Sequence, residues 1–368
     1  MTKTSRSPRH GRKAVTIADV ARLSGVSVAT VTRALQQSPL VRPATRERVE
    51  QAVAELGYRP HWFAQALAMR TSRTIGVLIP SSGDSFWGQV VAAAERRADQ
   101  AGFSVLLANS HADPAAEARA IDLFVSRRVD GMILAGTVGR EAAWFDGSMP
   151  PAIPIVTVNG ETSLGPAQLD MTAEPVDRAI ARVRRAQQRS KLSSISLDDF
   201  AASGHVVEHL IAMGHQRIAF AGVSASRTAV TRILGFRQAL QNAGLRPAGF
   251  VPGPLILETG RQAALELLSA SQAPTAIVAY DDLVAIGVMR GVRAAGRQVP
   301  SDVSVVGFDD IDVAEFVDPP LTTVRQPKDE MGRLAVEMVL RRVAGSSQKE
   351  TQMLRGELVP RGSVGRPS

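Results

Sequence analysis

This 368-residue sequence predicts a small all-α helix-turn-helix domain followed by an α/β core of two lobes, each built on a parallel sheet. Three observations predict it. A helical hairpin pattern occupies Thr16 to Gln36. From Thr74 onward, short apolar runs alternate with helical stretches, pause after Asn159, and resume. The charge is also split: residues 1–73 carry a net +9 and the remainder a net −1.

The hairpin comes first. Ile17, Val20, Ala21 and Leu23 recur at helical spacing, Gly25 interrupts, and Val28, Val31 and Leu35 resume the pattern. Thr16 stands as an N-cap, with Asp19 three residues on in a capping-box position. Gly25 permits a turn that a side chain would resist. Ser27 can cap the second helix. Two short amphipathic helices joined in this way form a helix-turn-helix. Ala29, Thr30, Thr32 and Arg33 are left on the non-core face of a helix short enough to enter a DNA major groove. A third helix begins at Pro43, turns Val49, Val53 and Leu56 inward, and stops at Gly57. Residues 61–70 read as a short helix with Phe63 and Leu67 on one face, too short to be stable alone. Residues 1–13 have no periodicity and read as a disordered basic arm.

The core follows in order. TIGVLIP is a strand, then come a helix from Trp87 to Ala101, the strand GFSVLLANS, a helix at 113–128, and the strands GMILAG and IPIVTVN. After an irregular interval the series continues with helix 200–213, strand IAFAGV, helices 228–243 and 259–270, strand AIVAY, helix 282–295 and strand VSVVGF. Strands alternating with crossover helices make parallel sheets, and ligands bind beyond the carboxyl ends of such strands. Between Glu161 and Ile195 lies EPVDRAIARVRRAQQRSK, a basic amphipathic helix with Val176, Ile180 and Val183 on one side. It fits a lobe insertion, a partner surface or a segment foreign to the rest of the fold, and the leading reading is a solvated insertion.

Composition excludes several classes. There is no cysteine, so there is no disulfide framework and no thiolate chemistry. No apolar run approaches the about 20 residues needed to span a bilayer, and the basic N-terminus lacks the apolar stretch of a secretory signal. A soluble cytoplasmic protein with no membrane partner is expected. Positive charge confined to the segment that carries the hairpin points to a polyanion, and DNA phosphates are the natural one. His205, Glu208 and His209 match the H-x-x-E-H pattern of zinc proteases, but no downstream ligand stands out. No nucleotide-binding or nucleophile-elbow motif is present. No catalytic residue, metal or cofactor is assigned. LVPRGS near the end matches a protease-site linker as readily as a native tail.

Several segments together resemble the lactose-repressor/galactose-repressor (LacI/GalR) family of bacterial transcription regulators. They are TIADVARLSGVSVATVTRAL, VRPATRERVEQAVAELGYRP, TSRTIGVLIP, RRVDGMILAG, VEHLIAMGHQRIAF, LGFRQALQNAGL and the long run from PTAIVAYDD to QPKDEMG. The resemblance implies a DNA-binding domain at 14–60, a hinge helix and linker at 61–73, and an effector-binding and dimerisation core at 74–363. That core is periplasmic-binding-protein-like, with two Rossmann-like subdomains. Lobe one would take about 74–160 and 326–345, and lobe two about 161–325 and 346–363. A homodimer on a pseudo-palindromic operator in double-stranded DNA is implied as well.

Site roles follow from the same resemblance. Val28, Ala29 and Arg33 match base-reading positions, and arginine can donate bidentately to guanine. Thr16, Ser27, Thr30 and Thr32 match phosphate or groove-edge positions, and Leu67 matches a leucine that wedges into the minor groove. In the cleft, Arg232 matches a ligand-clamping arginine and Asp309 an acidic ligand contact. Asp281 stands where the family usually has Asn, Asn159 at a cleft edge, and Phe86 and Trp87 where rings can stack. The family pattern is also left at Arg42, which replaces an N-capping residue, at Gln36-Gln37 and at His61. The function implied is a repressor whose operator affinity is set by a small, carbohydrate-like effector. The alternative is a small-molecule-binding transport or receptor protein without DNA function.

Overall fold

The computed structural model describes residues 15–35, 37–58, 71–137, 153–160, 175–190, 192–223 and 227–367. The expected basic arm, Gln36, the short helix at 61–70 and its Leu67 lie outside the described residues. The chain divides into two compact units, Met1–Ser72 and Arg73–Ser368.

In the first unit, α1 (Ile17–Ser24), α2 (Val28–Leu35) and α3 (Pro43–Leu56) enclose a small core. The Thr16 amide and hydroxyl both donate to Asp19 Oδ2, at 2.9 and 2.7 Å, which fixes the start of α1. Gly25 ends α1 in the left-handed conformation (φ 67°) and donates to the Ala21 carbonyl. Ser27 caps α2 by accepting from the Thr30 amide at 3.2 Å. No side chain caps α3 behind Arg42, while Pro43 opens the helix and Gly57 (φ 61°) closes it. Val20, Ala21, Val31, Ala34, Val41, Val49, Ala52 and Tyr58 make the core. Two residues of the expected apolar stripe are displaced from it. Leu23 and Val28 are 45% and 44% exposed, and in the last turn of α2 Ala34 is buried while Leu35 packs at the edge of the core.

The second unit contains two parallel sheets. The first has six strands in the order β11-β5-β4-β3-β1-β2. These are β1 (Thr74–Ile79), β2 (Ser104–Asn109), β3 (Gly131–Ala135), β4 (Ile155–Val158), β5 (Ser193–Leu197) and β11 (Thr351–Leu354). Strands β1, β3 and β4 are buried throughout, as expected of parallel strands covered on both faces. Helix α4 (Ser85–Gln100) joins β1 to β2, and α5 (Pro114–Ser126) joins β2 to β3. The second sheet runs β7-β6-β8-β9, with β6 (Ile218–Val223), β7 (Phe250–Pro252), β8 (Ala276–Ala279) and β9 (Ser304–Val306). Its helices are α7 (Asp199–Ala212), α8 (Arg227–Asn242), α9 (Leu257–Leu268) and α10 (Asp282–Ala294). Helix α11 (Lys328–Val343) returns to the first lobe and packs on α4, and β10 (Thr323–Arg325) pairs antiparallel with β12 (Glu357–Val359).

Two boundary expectations are corrected. Strands β5 and β11 pair in parallel with first-sheet partners, so residues 193–197 and 351–354 belong to lobe one rather than lobe two. The insertion is also not a solvated face alone. Helix α6 (Val176–Arg189) buries Val176, Ala179 and Val183 against Val230 and Leu234 of α8. The LVPRGS stretch is built into the fold. Arg361 donates to Asp310 at 2.6 Å, and buried Ser363 donates to the Val305 carbonyl at 2.6 Å.

Helices α9 and α10 approach through glycines. A Cβ placed on Gly287 would lie 2.0 Å from the Leu257 carbonyl oxygen, and one on Gly260 would lie 2.0 Å from the Val284 carbonyl oxygen. Gly287→Ala must therefore push the helices apart, and we expect it to lower stability by about 1–3 kcal/mol. The check is a lowered urea midpoint with an unchanged slope.

Candidate functional site

Two regions collect the residues singled out by sequence, one in each unit. In the first unit, the outer face of α2 presents exposed Val28, Ala29 and Arg33. Thr16 and Ser27 are also exposed, and Thr30 and Thr32 are half-buried. The hydroxyls have local work: Thr16 donates to Asp19, Ser27 lies 2.9 Å from the Thr30 hydroxyl, and Thr32 donates to the Val28 carbonyl at 2.9 Å. Arg33 has no side-chain partner among the described residues, whereas nearby Arg22 is paired with Asp19. Arg33 thus presents, among the described residues, an unpartnered guanidinium with five donors in a planar fork on the exposed side of the hairpin's second helix.

In the second unit, a cavity of about 750 Å³ opens at the carboxyl ends of the strands. It is lined by Phe86, Trp87, Asn159, Arg232, Asp281 and Asp309, all six of the residues expected there. The strand ends deliver them. Asn159 follows β4, Asp281 follows β8 by two residues, and Asp309 follows β9, while Phe86 and Trp87 fill the first turn of α4.

Arg232 is the central group. It reaches inward from α8, is 2% exposed, and is held on every side. Its Nε donates to Asp199 Oδ1 at 2.8 Å, an Nη1 hydrogen goes to the Tyr280 carbonyl, and Nη2 is 3.7 Å from Asp309 Oδ1. The Tyr280 and Phe308 rings face its Cζ with centroids at 4.7 and 4.2 Å. Burial works against the charge, but the carboxylates of Asp199 and Asp309 outweigh it and hold the guanidinium protonated.

Asp309 has φ 111°, a backbone region rarely occupied by a residue with a side chain. Surrounding bonds hold it there. Its amide donates to the Val324 carbonyl at 2.8 Å, Lys328 Nζ donates to its carbonyl at 2.6 Å, and Gln326 Nε2 donates to its carboxylate at 2.5 Å. Gln326 also accepts from Asn159 Nδ2 at 3.5 Å, while Asn159 Oδ1 accepts from the Leu197 amide at 3.3 Å. Asn159 therefore acts as a strut between β4, β5 and the crossover that carries Gln326. Phe86 and Trp87 meet edge to face at 4.8 Å and are largely buried, so only part of each ring meets the cavity.

Four carboxylates in or behind this wall titrate high. Burial raises Asp84, burial pushes Asp281 to about 6 with the Asp84 charge adding to it, and burial lifts Asp282 to about 7. Burial likewise raises Asp309 above its ordinary value, against the pull of Arg232. Sequence reasoning missed Asp84, Tyr280 and Gln326. Asp84 carries the signal of an N-cap before a helix, and Gln326 stands beside a strand too short to show a pattern. Among the described residues, no group of three His, Cys, Asp or Glu is arranged to hold a metal ion, and no helix is long and apolar enough to cross a membrane.

A carboxylate whose folded pKa exceeds its unfolded value of 3.8 binds more protons in the native state between the two values, so stability falls as pH rises through that window. For Asp281 the window runs from 3.8 to about 6. Asn keeps the N-cap that Asp281 now provides to the Val284 amide at 2.7 Å. Asp281→Asn should therefore melt like the parent at pH 4 and higher than the parent at pH 7. Melting curves at both pH values test this, and an equal offset at both would refute it.

Comparisons with known proteins agree on both regions. Residues 16–61 match the family described as bacterial regulatory proteins, lacI family, and residues 207–364 match a periplasmic binding protein-like domain. The ribose operon repressor of Escherichia coli (strain K12) is 33% identical over 353 residues, covering 95% of this chain and 99% of that protein. The HTH-type transcriptional repressor CytR of the same strain is 32% identical, covering 95% and 96%. Among solved structures, the lac repressor dimer bound to operator and the anti-inducer ONPF aligns with a TM-score of 0.81 at 31% identity, covering 96% of this chain and all of that one. A regulator from Enterococcus faecium with bound ribose aligns with a TM-score of 0.64 at 25% identity, over 80% of this chain.

Proposed function

This chain belongs to the lacI family of bacterial regulatory proteins, and from that premise we propose a repressor that grips a pseudo-palindromic operator as a homodimer and responds to a small hydroxylated effector in the cleft. The observation that carries the reading is the pairing of two equipped sites in one chain. One is a helix-turn-helix, within an N-terminal segment of net +9, whose Arg33 has no side-chain partner among the described residues, and the other is a cavity organised around the buried Arg232. Both named repressors align along nearly their whole length, and they are regulators rather than enzymes.

Within this reading Arg33 reads a guanine, and Val28 and Ala29 offer apolar contact to neighbouring bases. The N-terminal net charge of +9 supplies the phosphate attraction, which weakens as salt rises. Leu67 is assigned the minor-groove wedge at the operator centre, by which unstacking is repaid in contact area on bent DNA. The hydroxyls of Thr16, Ser27, Thr30 and Thr32 serve phosphates by turning out of the local bonds they now make. In the cleft, Arg232, Asp281, Asp309, Asn159, Phe86 and Trp87 contact or frame the effector. The effector acts by binding one lobe arrangement better than the other, since equal affinity shifts nothing.

Two measurements test the reading. Arg33→Ala should lower operator affinity by about 1–3 kcal/mol and relax base preference at one position of each half-site in a binding-site selection. An unchanged preference would count against Arg33 as a reader. Arg232→Lys keeps a cation beside Asp199 but loses the planar fork, so DNA binding should survive while the response to effector disappears. Arg232→Ala is the poorer choice, because it would take the guanidinium away from the buried Asp199 carboxylate.

A further inference from the structure

The cleft holds more acid than base. Asp84 enters from the first lobe as the N-cap of α4, and Asp281 and Asp309 enter from the second at the ends of β8 and β9. Among the described residues the cavity wall holds one guanidinium, Arg232, and it already faces Asp199 at 2.8 Å and Asp309 at 3.7 Å. Lys328 lies behind Asp309, with Nζ on the carbonyl oxygens of Asp309 and Asp310 at 2.6 Å each. Buried Asp282 accepts from the Thr323 hydroxyl and the Ile311 amide. His111 lines the rim and is exposed.

Asp84 and Asp281 are left over. Among the described residues neither is in an ion pair; Asp84 accepts from the Phe86 amide at 2.9 Å and Asp281 from the Val284 amide at 2.7 Å. Asp281 is 7% exposed, so solvent screens its charge poorly. The two residues face one cavity from opposite lobes; the Arg232 charge pulls on Asp281, but among the described residues no cation is within ion-pair distance of either carboxylate.

A ligand hydroxyl can donate to such carboxylates but leaves the charge in place. A protonated amine supplies up to three donors and the missing charge together. The rings of Phe86, Trp87 and Tyr280, with Leu255 and Ile256, give the rest of the cavity an apolar lining suited to the body of a small ring. Taking the cleft as the effector site, we infer that its ligand is a hydroxylated molecule bearing a protonated amine, seated between Asp84 and Asp281. The same field disfavours sugar phosphates and sugar acids. Burial is the main reason that Asp281 and Asp309 titrate high, and the charge on Asp84 adds to it in both.

The test uses the full-length protein in phosphate buffer at pH 7 and reads affinity by calorimetry. The probes are matched pairs: glucosamine against glucose, galactosamine against galactose, and tris(hydroxymethyl)aminomethane against pentaerythritol. N-acetylglucosamine and glucose 6-phosphate are further arms. At least one amine should bind about tenfold or more tighter than its hydroxyl partner, the difference between charged and neutral hydrogen bonds. Asp84→Asn and Asp281→Asn should each reduce that preference and together remove it, with both helices still capped and neither variant melting below the parent. The inference is overturned if the hydroxyl partners or the N-acetyl sugar bind as tightly, or if the preference survives in the double variant. A neutral sugar that binds in the parent and is lost in Arg232→Lys would overturn the amine while leaving the effector cleft standing. Absence of binding by every probe would overturn both.

Discussion

One buried guanidinium sets the terms for the core. Removing a charge from water costs several kcal/mol, and the cost is offset only when the group is paired and its donors are used. Arg232 meets that condition by drawing on three segments. Asp199 comes from the first turn of α7, the Tyr280 carbonyl from the end of β8, Asp309 from the end of β9, and the two flanking rings from Tyr280 and Phe308. Asp309 can serve only because its positive-φ backbone is fixed by Lys328, Gln326 and the Val324 carbonyl. Gln326 in turn leans on Asn159, and Asn159 on Leu197. A continuous polar chain thus runs from the second lobe through the crossover to the first. A ligand entering the cavity meets donors and acceptors already in place, and any movement of one lobe against the other must be felt along that chain.

Much of this was legible in the sequence, for identifiable reasons. Caps and stops such as Thr16, Gly25, Ser27, Pro43 and Gly57 act within a few residues, so their chemistry can be read locally. Residues just past buried strands fall at the cleft because parallel sheets place every carboxyl end on one side. What escaped was decided by distant packing. Leu23 and Val28 fit a helical stripe, yet the meeting of three helices turns them outward and seats Ala34 instead. Strand β11 exposes three of its four residues, and β5 contributes serines, so neither shows the apolar run of a buried strand. Asp84 looks like an ordinary N-cap; only the fold shows that it shares a cavity with Asp281.

The insertion has a consequence for the same guanidinium. Helix α8 sends Arg232 toward the cavity and sets Val230 and Leu234, on either side of it in sequence, against Val176, Ala179 and Val183 of α6. Helix α6 therefore packs against the back of the element that carries Arg232. Gly235 of α8 adds a further constraint, since a Cβ there would lie 2.1 Å from the Phe200 carbonyl oxygen of α7. Held between α6 and α7, α8 has little freedom to rotate, and the direction of Arg232 is fixed by packing as well as by its ion pairs.

The two sites also differ in electrical sign, and the difference has a purpose in physical terms. Positive charge sits in the N-terminal segment, where polyanion contact exchanges bound counterions for protein cations. The core is close to neutral overall, yet its cavity wall gathers Asp84, Asp281 and Asp309 around a single guanidinium. An acidic cavity repels phosphates and nucleotides that would otherwise compete for a pocket lined by rings and hydrogen-bonding groups. A basic segment repels the very cations that such a cavity attracts. Charge of opposite sign at the two sites therefore sorts their ligands before any close contact is made, leaving shape and hydrogen bonding to choose within each class.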